Sequence, residues 1–235
     1  MANIYLIRHA QASFGTENYD RLSALGCRQA EVLGRYLRDC EIHFDAIYSG
    51  DLERQVKTAK IASGSQAVDV PQQLDSRFNE VHLGEQLKLL APEVAKTRPD
   101  IHELARKGLK SSKDYQKAIE AVFNYWVSPQ CTVAGIQTWS DFSTATRTGL
   151  SDVMEQQGPG KTVGIFTSGG TIATIVSQVL GLGGDHAYKF FEPSINCSVT
   201  RLIYNGRKVS LSYFNDHSFL DLLGQQLGEQ LVTYR

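Results

Sequence analysis

Ile4-Tyr5-Leu6-Ile7-Arg8-His9-Ala10 is the stretch that decides how this chain is read. Four consecutive apolar residues, two of them isoleucine, predict a short buried strand. A cation and an imidazole stand where that strand ends. In an open α/β sheet, ligands bind outside the carboxyl ends of the strands. Arginine is a fork-shaped donor suited to phosphate oxygens. Histidine can act as a nucleophile or carry a proton near neutral pH. An ordinary surface pair is the competing reading of the dipeptide alone.

Three further segments extend the pattern. Phe44-Asp45-Ala46-Ile47-Tyr48 predicts a second strand and runs into the turn Ser49-Gly50-Asp51-Leu52-Glu53-Arg54. Phe78-Asn79-Glu80-Val81-His82-Leu83-Gly84 supplies an acid. Val163-Gly164-Ile165-Phe166-Thr167-Ser168-Gly169-Gly170 predicts another strand, ended by a glycine turn. In this order the segments resemble the histidine phosphatase superfamily, the phosphoglycerate mutase-like proteins, from Ile4 to about Leu220.

The composition sets outer bounds. At 235 residues the chain suits one domain, or one domain with an insertion. Apolar residues make up 42% and charged residues 21%, an ordinary globular balance. A net charge of −1 argues against broad attraction to nucleic acid or to anionic membrane. No apolar run approaches the roughly 20 residues that span a bilayer. Met1-Ala2-Asn3 leads into the first strand without a basic leader, so a cytoplasmic location is expected. Cys27, Cys40, Cys131 and Cys197 are far apart, so reduced thiols are expected and neither a zinc site nor a disulfide frame.

Helices and strands alternate at first. Ser23 is a candidate N-cap for a helix from Ala24 to about Arg38, with Ala30, Leu33 and Leu37 facing the sheet. A second helix is expected from near Asp51 to Ser63, with Val56, Ala59 and Ile61 on its apolar face. Gln66 to Val70 reads as a strand ended by Pro71. Charged, helical sequence broken by Pro92, Pro99 and Gly108 predicts a cap insertion at about 84–135, with helices near Pro92–Thr97 and Ser112–Trp126. Trp139–Gln157 reads as a long helix ended by Gly158-Pro159-Gly160. Thr171–Leu180 is expected to be a helix. Asn205-Gly206 between two strand-like runs predicts a hairpin. The expected fold is therefore α/β: a three-layer α/β/α sandwich with a mixed, mainly parallel sheet and a helical cap, in a single domain over 1–235.

His9 is the candidate nucleophile, because an imidazole nitrogen can displace an alkoxide from phosphorus and leave a phosphohistidine. A strand-end histidine bonded to a carbonyl is the plainer alternative. Arg8 and Arg54 are candidate clamps for the charge spread over three phosphoryl oxygens. Arg54 in a first helical turn opposes the helix dipole unless an anion lies before it; the alternative is a surface pair with Glu53 or Asp51. Glu80 is the candidate general acid, with a salt bridge to Arg77 as its alternative and Glu85 as an outside rival. The resemblance implies these same roles: phosphorylated histidine for His9, phosphate pocket for Arg8 and Arg54, proton donor for Glu80.

Ser168 departs from the family pattern, which has a second histidine there. Its hydroxyl and the backbone N–H groups of Gly169, Gly170 and Thr171 can still hold phosphate, without a positive charge. A lowered rate is expected, since one charged donor is worth a few kcal/mol by analogy with an oxyanion-hole donor. Gln11, Ser13 and Asn18 read equally as ligand contacts or as plain loop. His82 reads as a pocket wall or, preferably, a surface residue, and His43, His102 and His186 read as surface residues. His217 lies too far along the chain to be assigned as a replacement donor. Phe123, Tyr125 and Trp126 read as core.

The expected function is metal-independent phosphomonoester hydrolysis without a cofactor, on a small phosphorylated metabolite or a phosphopeptide. A homodimer is compatible with the sequence. The alternatives are a catalytically weak or inactive phosphoester-binding regulator and a phosphoglycerate-type mutase.

Overall fold

A computed structural model describes residues 1–13, 19–66, 68–108 and 110–234. Within it, β1 (Ala2–Arg8), β2 (Ala46–Ser49), β3 (Gln72–Leu74), β4 (Thr162–Thr167), β5 (Val199–Asn205) and β6 (Lys208–Asp216) form one sheet in the order β3-β2-β4-β1-β5-β6. The pairs β3–β2, β2–β4 and β4–β1 are parallel, while β1–β5 and β5–β6 are antiparallel. The sheet is mixed, as expected.

Strand alternation sorts the core into two layers, because successive side chains point to opposite faces. Ala2, Ile4 and Leu6 of β1 join one cluster, with Leu150 and Val153 of α6 (Trp139–Gln157) and Ile172 and Ile175 of α7 (Gly169–Val179). Tyr5 and Ile7 join the other, with Leu33 and Leu37 of α1 (Ala24–Asp39), Ala59 and Ala62 of α2 (Glu53–Ser63), and Phe219 and Leu220 of α9 (Ser218–Leu227). The result is the α/β/α sandwich. Ser23 caps α1 by accepting the Gly26 N–H at 2.9 Å, a contact worth about 1 kcal/mol.

The segment between β3 and α6 holds α3 (Leu83–Ala95), α4 (Pro99–Lys107) and α5 (Ser112–Trp126). Leu90, Val94, Ile101, Ile119, Phe123 and Trp126 form a third apolar cluster. It reaches Phe142 at the start of α6 and Tyr188 of α8 (Ala187–Phe191). Phe123 and Trp126 are core, as expected.

Four local expectations change. The third strand lies after Pro71, not before it: Gln66 is spent on the Phe44 N–H and the Ile42 carbonyl, and Pro71 precedes the ladder, where its missing donor costs nothing. Pro92 sits inside α3 rather than starting a helix, since burial of Leu90 and Val94 on either side outweighs one lost bond. The hairpin turn is Gly206-Arg207, because Asn205 still pairs with Lys208; Gly206 takes φ 57°, the glycine position of a type II′ turn. The buried face of α2 is largely polar, with Arg54, Gln55 and Thr58 turned inward beside Ala59 and Ala62.

Candidate active site

The three central parallel strands end at one level. Arg8 pairs with Thr167, and Ser49 with Phe166. The His9 N–H donates to the Thr167 carbonyl and the Gly50 N–H to the Phe166 carbonyl. Whatever follows each strand is thereby delivered to the same edge. Arg54 lies in the first turn of α2, just past β2. Glu80 follows the 3-10 turn Ser76–Phe78, which is stitched to the start of α7. Thr167 Oγ1 donates to the Phe78 carbonyl and Thr171 Oγ1 to the Asn79 carbonyl. Asn79 also trades hydrogen bonds with Asp51, accepting from its N–H and donating to its carboxylate.

Arg8, His9, Arg54 and Glu80 line one cavity of about 760 Å³. The separation that matters most is short: Arg54 Nε donates to His9 Nε2 at 3.1 Å. On the far side of the ring, Nδ1 lies 2.8 Å from the Ala10 carbonyl. A carbonyl can only accept, so Nδ1 carries the proton and Nε2 keeps its lone pair. Burial first, then the guanidinium groups of Arg54 and Arg8, hold the ring well below the usual histidine range, against the opposing pull of the Ala10 carbonyl. The imidazole is neutral at neutral pH. Thr58 fixes the backbone beside it, accepting the Ala10 N–H and donating to the Arg54 carbonyl, while Asn196 Nδ2 donates to the His9 carbonyl.

Asp20 grips Arg54 from the other side, with its Oδ1 at 2.6 Å from Nη1 and its Oδ2 accepting the Glu53 N–H. The anticipated alternatives for Arg54, Glu53 and Asp51, are otherwise engaged: Glu53 pairs with Arg21 and Asp51 with Asn79. Arg8 donates to the Ser194 carbonyl. Glu80 is not paired with Arg77, which binds Asp75 and Asp152 instead. The Glu80 carboxylate accepts the N–H groups of Val81 and of Gly170, in the first turn of α7. A Cβ on Gly170 would run into that carboxylate, so only glycine admits the acid here. Burial pushes the Glu80 carboxyl above its ordinary range, outweighing the Gly170 N–H and the charges of Arg54 and Arg8. Glu85 also lines the cavity but is exposed at its rim.

Ser168 and Gly169 are placed differently from expectation. Neither lines the cavity. Ser168 is 0% exposed, and its Oγ accepts a hydrogen bond from Gln55 Nε2 at 2.8 Å. It stands behind the cavity floor, turned toward α2. Gly169 is buried too, with the position of an added Cβ 3.2 Å from the Phe191 ring. His217 does not line the cavity; its ring meets the Asn215 carbonyl and Asp221. Gln11 and Ser13 lie off the cavity in loop hydrogen bonds, and Asn18 falls outside the described residues.

His82 is exposed and also lines the cavity, together with Tyr115, Gln116, Tyr188, Phe191 and Glu192, so its pocket-wall alternative is the one that applies. No short-range pattern marks these residues; only the apolar run of α5 hinted at a wall. Among the described residues, no group of three or more His, Cys, Asp or Glu side chains gathers as metal ligands would. No helix among them is long and apolar enough to cross a membrane.

Comparison with known proteins gives the chain its family. Residues 4–217 match the family described as the histidine phosphatase superfamily (branch 1). A 2,3-bisphosphoglycerate-dependent phosphoglycerate mutase 2 of Latilactobacillus sakei is 35% identical over 91 residues, 36% of this chain and 40% of that protein. A broad-specificity phosphatase of Saccharomyces cerevisiae is 32% identical over 88 residues, 34% of this chain and 38% of that protein. The chain thus spans well under half the length of these curated relatives. Among solved structures, a phosphoglycerate mutase from Bacillus anthracis superposes with a TM-score of 0.63 at 22% identity, over 93% of this chain and 94% of that one. At that identity the likeness speaks to the fold.

Proposed function

Because the chain belongs to the histidine phosphatase superfamily, a group of phosphatases and mutases, we propose that it is a phosphomonoester hydrolase working through a phosphohistidine on His9. One observation carries the reading: two guanidinium groups, a neutral imidazole whose Nε2 lone pair faces Arg54, and a half-buried carboxyl group converge on one cavity.

In the first step the Nε2 lone pair of His9 attacks phosphorus. The P–O bond to the alcohol breaks as the N–P bond forms. Glu80, whose hold on a proton burial strengthens, gives that proton to the departing alkoxide. Arg54 shifts its Nε–H from the ring to a phosphoryl oxygen, and Arg8 takes another, so positive charge is in place before negative charge develops. In the second step Glu80, now a carboxylate, takes a proton from water. The resulting oxygen attacks phosphorus, the N–P bond breaks, and His9 returns neutral with phosphate released. The two guanidiniums supply the electrostatic work without a metal. The segment 84–135 serves as the cap on a single domain over 1–235, and a small phosphorylated metabolite is the substrate.

The test is hydrolysis of a generic aryl phosphate by the wild-type protein and by His9→Ala, with and without a chelator. Wild-type turnover indifferent to the chelator is expected, with an acid-labile phosphoenzyme in rapid-quench samples and neither turnover nor phosphoenzyme in the variant. Equal background rates in both proteins would overturn the hydrolase reading. They would favour a phosphoester-binding regulator, which the burial of Ser168 against Gln55 supports by leaving that position without a charged donor. Isomerisation of phosphoglycerate with a bisphosphorylated primer would instead identify a mutase.

A further inference from the structure

We infer that this cavity takes the phosphomonoester of a bulky, apolar alcohol carrying no second anionic group. The inference rests on reading Arg8 and Arg54 as the phosphate end, and it concerns the other half of the substrate.

The cavity is chemically two-sided. Among the described residues that line it, Arg8 and Arg54 are the only arginines or lysines, and both stand on the floor beside His9. One phosphate dianion occupies them. Above the floor the wall is apolar and aromatic: Leu52, Val81, Tyr115, Ile119, Tyr188 and Phe191. Leu52, Val81, Ile119 and Phe191 offer only apolar contact, and the Tyr115 and Tyr188 rings add to it, a face that matches an apolar ligand. The cavity, about 760 Å³, has room for an alcohol far larger than a three-carbon acid.

The wall is also packed from behind. Phe191 stacks on Phe123 with centroids 5.7 Å apart and planes 8° apart, and it abuts Gly169 next to the Arg8 side chain. It therefore runs from the phosphate floor up to the wall, where the first carbons of an alcohol would lie. A preformed aromatic face asks little ordering on binding. The rim carries the opposite sign to the floor. Glu85 and Glu192 face the opening, and Glu192 holds Gln116 Nε2 across it at 2.6 Å. A carboxylate or second phosphate on the substrate would meet these acids with no lysine or arginine among the described lining residues to receive it.

The experiment uses straight-chain alkyl phosphates from ethyl to hexyl, whose leaving groups are equally basic, so chemistry stays constant while apolar bulk grows. Their kcat/KM is measured beside dissociation constants for the matching alkylphosphonates, which cannot be hydrolysed. Each added methylene is expected to improve both by up to about fourfold when fully buried. At least thirtyfold from ethyl to hexyl is expected, and 3-phosphoglycerate should fall at least a hundredfold below hexyl phosphate. Phe191→Ala and Ile119→Asn should flatten the chain-length slope. A flat or falling phosphonate series, a slope untouched by both variants, or 3-phosphoglycerate as the better ligand would overturn the inference. If no ester is turned over but longer phosphonates bind tighter, the hydrolase reading falls and this one stands. The phosphonate series decides wherever the two measurements differ.

Discussion

The floor and the wall of the cavity are built by different physics. Arg8 and His9 end β1, Arg54 lies in the first turn of α2 and Glu80 follows a 3-10 turn, and the floor is gripped by polar partners: His9 by the Ala10 carbonyl and Arg54, Arg54 by Asp20, Glu80 by two backbone N–H groups. Much of the wall comes from α5 and α8, which pack on each other through rings, as with Phe123 against Phe191. The floor is thus positioned by directional bonds with little tolerance, and the wall by shape and volume. Changes in the floor should alter chemistry, while changes in the wall should alter stability and choice of substrate.

The largest expected consequence is in the floor. Glu80→Gln should lower kcat/KM on the order of 10²- to 10⁴-fold, the range for losing a positioned acid. Its pH profile discriminates further. Attack requires neutral His9, whose pKa is lowered, so the rate rises as pH climbs through that depressed value. Departure requires protonated Glu80, whose pKa is raised, so the wild-type rate falls as pH climbs through that elevated value. In Glu80→Gln the alkaline fall should vanish; its persistence would assign it to another group.

In the wall, Phe123→Ala removes a side chain that is 1% exposed at the centre of the aromatic cluster. A loss of about 3–5 kcal/mol in unfolding free energy is expected from denaturant titration. A smaller loss, below about 1 kcal/mol, would mean the wall repacks and is less rigid than its ring geometry implies.

Between these extremes lies Asp20→Asn. Removing one charge beside Arg54 frees that guanidinium for phosphate but loosens its aim. We expect KM for an alkyl phosphate to fall while kcat falls roughly threefold, in line with the modest worth of a partly exposed ion pair. Unchanged kcat and KM would show that Asp20 does not position Arg54.

The smallest effect on function is expected at Ser168. With its hydroxyl spent on Gln55, Ser168→Ala should cost roughly 1 kcal/mol of stability. Phosphate affinity, measured by calorimetry, should hardly change. A large loss of affinity would restore Ser168 to the phosphate site.

Much of the floor was legible along the chain because its signals are local. Ile4-Tyr5-Leu6-Ile7 announces a buried strand, and the residue after such a strand lies at the sheet's edge whatever else the molecule does. The Ser23 cap and the Trp139–Gln157 helix were likewise written in neighbouring residues. The strand beyond Pro71 was misplaced because Val68 looked like strand sequence yet lies 70% exposed, with no partner strand beside it to bury it. The choice between pocket wall and surface for His82 stays open in the sequence because lining a cavity is a property of what stands opposite, and nothing adjacent in sequence encodes that.

Order, polarity and turn chemistry along the chain were therefore enough for the α/β architecture and for setting Arg8 and His9 at a strand end, while the resemblance to the histidine phosphatase superfamily joined Arg54 and Glu80 to them. Only folding in three dimensions assigned the rest. It turned Ser168 away toward Gln55, set Gln116 against Glu192 across 76 residues, and laid Phe191 beside the phosphate floor. Those outcomes hang on register and on the close packing of distant rings, where a shift of a few ångströms exchanges one partner for another.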